Sequence, residues 1–184
     1  MAIPVNIEDL LHKRKIESTR IEFKKGWNPD KIYRTICAFA NDIDNLGGGY
    51  IVVGVEEEDN TGIAKRPVTG VPVEELDKIQ REMIGYNNKI DPYYMPRVDV
   101  QEVDDKYVLL IWVPAGVNRP YNVRERGTAS NQSPCKWYVR NGTNTIEAKG
   151  EVLDELRELA SRLPFDERGN ENIEQTDISR ALVL

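Results

Sequence analysis

The spacing of apolar residues changes period several times along the chain, and each change predicts an element. Residues 5–15 carry apolar side chains at helical spacing, with Leu10 and Leu11 on the inward side. "RIEFKK" then alternates, Ile21 and Phe23 pointing one way and Glu22 and Lys24 the other, as in a half-buried strand. "NPDKIYRTICAFAN" predicts a helix. Asn28 can cap it, Pro29 suits its first position, and Asp30 favours its positive end. Ile32, Ile36 and Phe39 or Ala40 give it a buried stripe. After "DIDNLGGG" comes "YIVVGV", apolar on both faces like a central strand. "EEEDNTGI" is a turn leading to a short edge strand around Ile63.

The second half continues in the same alternation. "PVEELDKIQREMIGY" predicts a helix with Pro72 near its start and a stripe of Leu76, Ile79, Met83 and Ile84. "PRVDVQEV" and "KYVLLIWVP" flank Asp104 and Asp105 and predict a β-hairpin. Residues 114–134 read as a long polar loop, and "CKWYVRNGTNTIEA" as a strand, an Asn141-Gly142 turn and a return. "GEVLDELRELASRL" predicts a helix with Val152, Leu156, Leu159 and Leu163 on one side. Helices and strands intermix without a repeat, so the expected class is α+β, a mixed, largely antiparallel sheet flanked by helices in a single domain over residues 1–165. Residues 166–184 are expected to be an acidic linker or tail leading to a further region.

Composition narrows the function classes. No apolar run approaches the roughly 20 residues of a membrane span, and the start has no continuous apolar signal region. Only Cys37 and Cys135 are present, without a CxxC pair, which points to a reducing, cytoplasmic setting and away from structural zinc. The single histidine, His12, leaves histidine-dependent triads without a base.

The net charge of −6 does not by itself suggest a nucleic-acid binder, but its distribution does. Residues 13–34 hold eight Lys/Arg against three acids, and residues 115–149 hold six against two. Residues 53–110 and 150–184 are acidic. If the two basic segments meet, they form a positive face on an acidic protein; if not, they are two solvated surfaces.

Three groups of residues could carry chemistry. Gly47, Gly48 and Gly49 suggest a phosphate loop, but the order is helix, glycines, strand, the reverse of a Walker loop, and no lysine follows. A turn that lets a helix hand over to a buried strand is the preferred reading. Glu22 and the acids at Glu56, Glu57 and Glu58 could approach one another if their strands are neighbours. Clustered carboxylates suit Mg²⁺ or Mn²⁺, with Lys24 stabilising charge on a phosphate. A solvated strand pair and an exposed acidic turn explain the same residues. Lastly, Arg119, Tyr121, Arg124 and Arg126 precede Lys136, Trp137, Tyr138 and Arg140, an interleaving that can stack on bases and pair with phosphates. One of the two adjacent aromatics is expected in the core, with the arginines left available.

The ordered set "ESTRIEFKK", "ICAFAN", "GGGYIVVGVEE", Gly62-Ile63 and "WYVRNGTNTIEA" resembles the Schlafen AlbA_2 domain, found at the N-terminus of many bacterial regulators and RecG-like proteins. The resemblance covers roughly residues 13–165 and implies an α+β fold and nucleic-acid binding. In animal Schlafens a related domain is a ribonuclease with three acidic residues and a divalent metal. Glu17 and Glu22 match two of the acids and Glu57 best matches the third, where family members commonly carry Asp. The chain also has an insertion around residues 43–46.

The leading expectation is therefore a nucleic-acid-binding module, for DNA, of a bacterial transcriptional regulator. It would need no cofactor and would bind through Lys24, Lys25, Arg119, Arg124, Arg126 and Arg140. One alternative is an endoribonuclease with Glu17, Glu22 and Glu57 as ligands to Mg²⁺ or Mn²⁺ and Lys24 as electrostatic helper, acting on RNA. A further alternative is an oligomerisation or protein-interaction module that forms homo-oligomers. No membrane partner is expected.

Overall fold

The computed structural model describes residues 3–12, 18–59, 61–125 and 133–161. The elements in chain order are α1 (Ile7–His12), β1 (Ile21–Lys24), α2 (Pro29–Asn41), β2 (Gly49–Val53), α3 (Val73–Asn87) and β3 (Ile90–Asp91). They continue as β4 (Arg97–Val103), β5 (Lys106–Val113), β6 (Asn122–Arg124), β7 (Cys135–Asn141), β8 (Asn144–Glu147) and α4 (Glu151–Ser161). The class is α+β, as the periodicity predicts. The strands form two four-stranded sheets, ordered β1-β2-β5-β4 and β3-β6-β7-β8. Among the described residues, only the β1–β2 pair is parallel.

The helix α2 lies between the sheets. Asn28 caps it, its side chain accepting from the Lys31 amide at 3.1 Å, and Pro29 takes the first position. Instead of a single buried stripe, α2 buries Ile32, Tyr33 and every residue from 35 to 41. A helix covered on two faces is apolar nearly all round. Its neighbours in one core are Ile51, Val53, Leu109 and Ile111 of the first sheet and Val123 and Tyr138 of the second. On the far face of the first sheet, Leu10 and Leu11 of α1 pack with Ile21, Val52, Val108 and Leu110. The strand alternation read from "RIEF" is therefore real: Ile21 and Phe23 face α1, and Glu22 and Lys24 face the opposite way.

Several expectations need correction. There are two sheets, and the loop expected at 114–134 contains β6, whose buried Val123 and preceding Tyr121 join the α2 core. Two inward residues are too few to register as a strand pattern. Ile84 is 68% exposed, because α3 buries Leu76, Ile79 and Met83 and Ile84 lies about 100° further round. The strand expected around Ile63 is a single pairing of Glu57 with Ala64 in a tight turn. Of the two aromatics at 137 and 138, Tyr138 is the core residue. Residues 13–17 and 162–184, with the expected end of the first helix, Leu163 and the tail, lie outside the described residues. Among the described residues no helix is long and apolar enough to cross a membrane.

Cys37 is fully buried, its thiol pushed up to about 12 by loss of solvent, whereas Cys135 is exposed. Since the thiolate is the reactive form, iodoacetamide should modify Cys135 in the native protein and reach Cys37 only after unfolding. Mass spectrometry of the alkylated protein, with and without denaturant, checks this. Rapid native labelling of Cys37 would contradict the packing of α2.

Candidate nucleic-acid interface

The two basic segments meet where β1, the start of α2 and the β7–β8 hairpin come together. Glu22 projects from β1 and is held by two cations. Lys24 Nζ lies 2.6 Å from its Oε1, and Arg140 Nη1 lies 2.9 Å from its Oε2. Arg140 is nearly buried and stacks over the Phe39 ring, with the guanidinium carbon 4.8 Å from its centroid. It also donates to Thr145 Oγ1 at 2.9 Å and to the Thr143 carbonyl at 2.8 Å, which fastens the hairpin to the sheet. Burial pulls Arg140 below the usual guanidinium value and Glu22 opposes that shift; the group stays charged.

Beside this contact is a cleft of 210 Å³ lined by Glu22, Lys24, Lys31, Arg34 and Thr35 on one side and Thr143, Asn144 and Thr145 on the other. Lys31 and Arg34 stand three apart on α2, so helical geometry puts them on one face. Arg34 Nη2 donates to the Glu125 carbonyl at 2.7 Å, and Thr35 touches Thr145 at 3.3 Å. Glu22 neutralises one of the four positive charges gathered there. Cations beside hydroxyls suit a phosphodiester backbone. A larger groove of 670 Å³ lies between α3 and residues 95–98, where Arg81 and Arg97 accompany Asp77. It contains neither basic segment.

The residues named from sequence fall into different places. Lys24 and Arg140 belong to the cleft region. Lys25 is exposed and 3.0 Å from Glu56, whose carboxyl it holds below the usual range. Arg124 donates to the Ser133 carbonyl at 3.2 Å. Arg119 is not a surface cation: it is 8% exposed and its Nη1 caps the end of α2 through the Asn41 and Asp42 carbonyls at 3.2 and 3.0 Å. A cation there meets the negative end of the helix. Arg126 and Glu17 lie outside the described residues. Lys31, Arg34 and the hairpin threonines were missed one by one, although the summed charge of residues 13–34 contained the signal.

The acids do not assemble a metal centre among the described residues, where no three Asp, Glu, His or Cys side chains converge. Both Glu22 oxygens already bond cations. Glu57 instead accepts from the Gly62 amide at 2.6 Å, in the turn whose Ala64 packs with α1 on the other face of the sheet. A divalent ion needs converging oxygen donors; of the three acids, Glu22 and Glu57 are each bonded elsewhere, and Glu17 lies outside the described residues.

The glycines serve the chain path. Asp42 accepts from the Leu46 and Gly47 amides at 2.9 and 2.8 Å, while Arg20 donates to the Gly48 and Gly47 carbonyls at 2.8 and 3.1 Å. The Gly47 amide thus has a partner within the turn. Gly48 has a φ of 82° and passes directly against the Val113–Ala115 backbone.

Among known proteins, the Schlafen, AlbA_2 family matches residues 17–149. No curated protein matches the chain. The crystal structure of the DIP2311 protein from Corynebacterium diphtheriae is similar at 20% identity over 76% of this chain and 24% of its own, with a TM-score of 0.49. The solution structure of the N-terminal domain of a RecG-related protein from Nitrosomonas europaea is similar at 30% identity over 54% of this chain and 65% of its own, with a TM-score of 0.43. The chain thus spans about a quarter of the first and 65% of the second. With the family's match running from before β1 to the end of the β7–β8 hairpin, the chain belongs to the Schlafen AlbA_2 family.

Proposed function

We propose that this domain binds nucleic acid, DNA in the first place, as the binding module of a bacterial transcriptional regulator. The reading rests on one observation: Lys24, Lys31 and Arg34 of the first basic segment line a single cleft facing Thr143, Asn144 and Thr145 of the β7–β8 hairpin, with Arg140 of the second segment beside it on Glu22. Phosphates are held by such clusters without regard to sequence. The acidic remainder does not prevent this, since charges more than about 8 Å away are largely screened at physiological salt. It favours one orientation, turning the acidic surfaces away from DNA.

Fluorescence anisotropy of a labelled duplex across a salt series tests the reading. Log affinity should fall steeply with log salt, by about 0.9 per phosphate contact. The double variant Lys31→Ala/Arg34→Ala should lower that slope by about two and weaken binding evenly across sequences. A flat salt response, or an unchanged slope in the variant, would sink the proposal.

A further inference from the structure

Phosphate contacts position a duplex but carry no sequence information, so a regulator needs a second element that does. We propose that the tip of the β7–β8 hairpin is that element, and that Asn141 and Asn144 contact base edges in the major groove of duplex DNA. The inference rests on the DNA-binding reading above and deepens it.

Three observations converge on the tip. The first is its shape. β6 pairs with residues 135–137 of β7, whereas residues 138–141 pair only with β8 on the far side. Tyr138, Val139 and Arg140 stay buried against α2 and α4, so the part of the hairpin that projects is its turn, Asn141 to Asn144. A major groove about 12 Å wide admits the tip of a two-stranded hairpin, while the deep, narrow major groove of A-form RNA does not.

The second is chemistry. Asn141, Gly142, Thr143 and Asn144 are all exposed, and they offer two amides and a hydroxyl with no charge and no large apolar group. Gly142 makes the bend at a φ of 57° with open space around it, so nothing in the domain covers the tip there. Asparagine can pair bidentately with adenine, its Nδ2 donating to N7 and its Oδ1 accepting from the N6 amino group, and threonine can contact either a base or a thymine methyl.

The third is position and rigidity. Thr143, Asn144 and Thr145 line the same cleft as Lys24, Lys31 and Arg34, so a backbone held by the cations runs beside the tip. Arg140 bonds the Thr143 carbonyl, Thr145 and Glu22 together, which fixes the ribbon before DNA arrives. A pre-ordered reader loses little entropy on binding. Arg140 is thus a positioning residue for the reader and need not touch DNA.

The experiment selects from a randomised duplex oligonucleotide pool with the full chain, alongside a randomised single-stranded RNA pool. The affinity ratio of the enriched duplex to its scrambled version is then measured for wild type, Asn141→Ala and Asn144→Ala, with a salt series for each. Denaturation midpoints confirm that the variants fold. The expected result is an enriched duplex containing adenine, and a discrimination ratio that falls at least about fivefold in a variant. The salt slope should stay at the wild-type value, because neither side chain is charged. Discrimination unchanged in both variants would overturn the inference. So would enrichment confined to the RNA pool, or salt-dependent binding with no enriched sequence, although the last leaves the underlying DNA-binding reading standing. Absence of salt-dependent binding to either pool would remove both.

Discussion

Asn41→Ala is expected to cost about 3–5 kcal/mol, because it removes three bonds to buried backbone groups at about 1–3 kcal/mol each, although the Tyr121 carbonyl keeps a weaker bond from the Cys37 thiol. Asn41 has no exposed surface. Its Nδ2 donates to the Tyr121 and Tyr138 carbonyls at 2.9 and 2.8 Å, and its Oδ1 accepts from the Tyr121 amide at 2.6 Å. One side chain at the end of α2 thereby joins the helix to β7 and to the start of β6. Some of the loss can be recovered by water entering the space, so the estimate stays below the sum of the separate terms. For a chain of this size the midpoint of thermal unfolding should fall by roughly 10 °C. Asn41→Leu should do no better, since it keeps the volume and loses the same bonds. A drop below about 1 kcal/mol in urea titration would mean that the second sheet is held to α2 by something else.

Gly48→Ala is expected to be as severe, by another mechanism. A non-glycine residue at a φ of 82° is strained by about 1–3 kcal/mol. The added Cβ would also fall on the Val113 carbonyl oxygen and lie 2.8 Å from the Ala115 amide nitrogen. Both neighbours are backbone and cannot rotate aside. Displacing them adds about 1–3 kcal/mol, the usual cost of overpacking. Gly142→Ala is the control: its φ is also positive, at 57°, but nothing lies within 4 Å of the added carbon. It should cost about 1–2 kcal/mol, the left-handed strain alone. Equal costs at the two positions in urea denaturation would contradict the close approach of β2's entry to the chain leaving β5.

These two residues also mark how far sequence carries. The glycine run could be set aside as a phosphate loop from element order alone, and the turn reading holds. Its specific cause, contact with the chain after Val113, depends on a long-range pairing that no local pattern contains. Asn41 looked like the end of a helix, which it is, but its three bonds reach residues 80 and more positions away. The strong periodicities of α2, of the β4–β5 hairpin and of β1 were legible because each repeats over several residues. β6 was not, since only Tyr121 and Val123 mark it among polar neighbours.

Charge followed the same rule. Summed over a segment, it located the first basic stretch, whose cations line the cleft, and the second, whose Arg140 stands beside it on Glu22. Taken residue by residue, it could not separate Lys31 and Arg34, which line the cleft, from Arg119, which closes the end of α2. An arginine on a surface and one beneath it are the same letter; what differs is whether backbone carbonyls from another segment arrive to receive it. Glu22 shows the converse. Its place on the face of β1 opposite Ile21 and Phe23 followed from alternation, but its pairing with Arg140 required β7 to pack against α2, where Arg140 lies over Phe39.

Mapping backbone amide shifts by NMR while adding duplex DNA at low salt is the most direct test of the central claim, that the cleft between α2 and the β7–β8 hairpin is where nucleic acid lies. The expected result is a connected set of shifts at residues 22–25, 31–35 and 141–145 that reverses when salt is raised. Shifts centred on the groove between α3 and residues 95–98, or none at any ratio of DNA to protein, would contradict it.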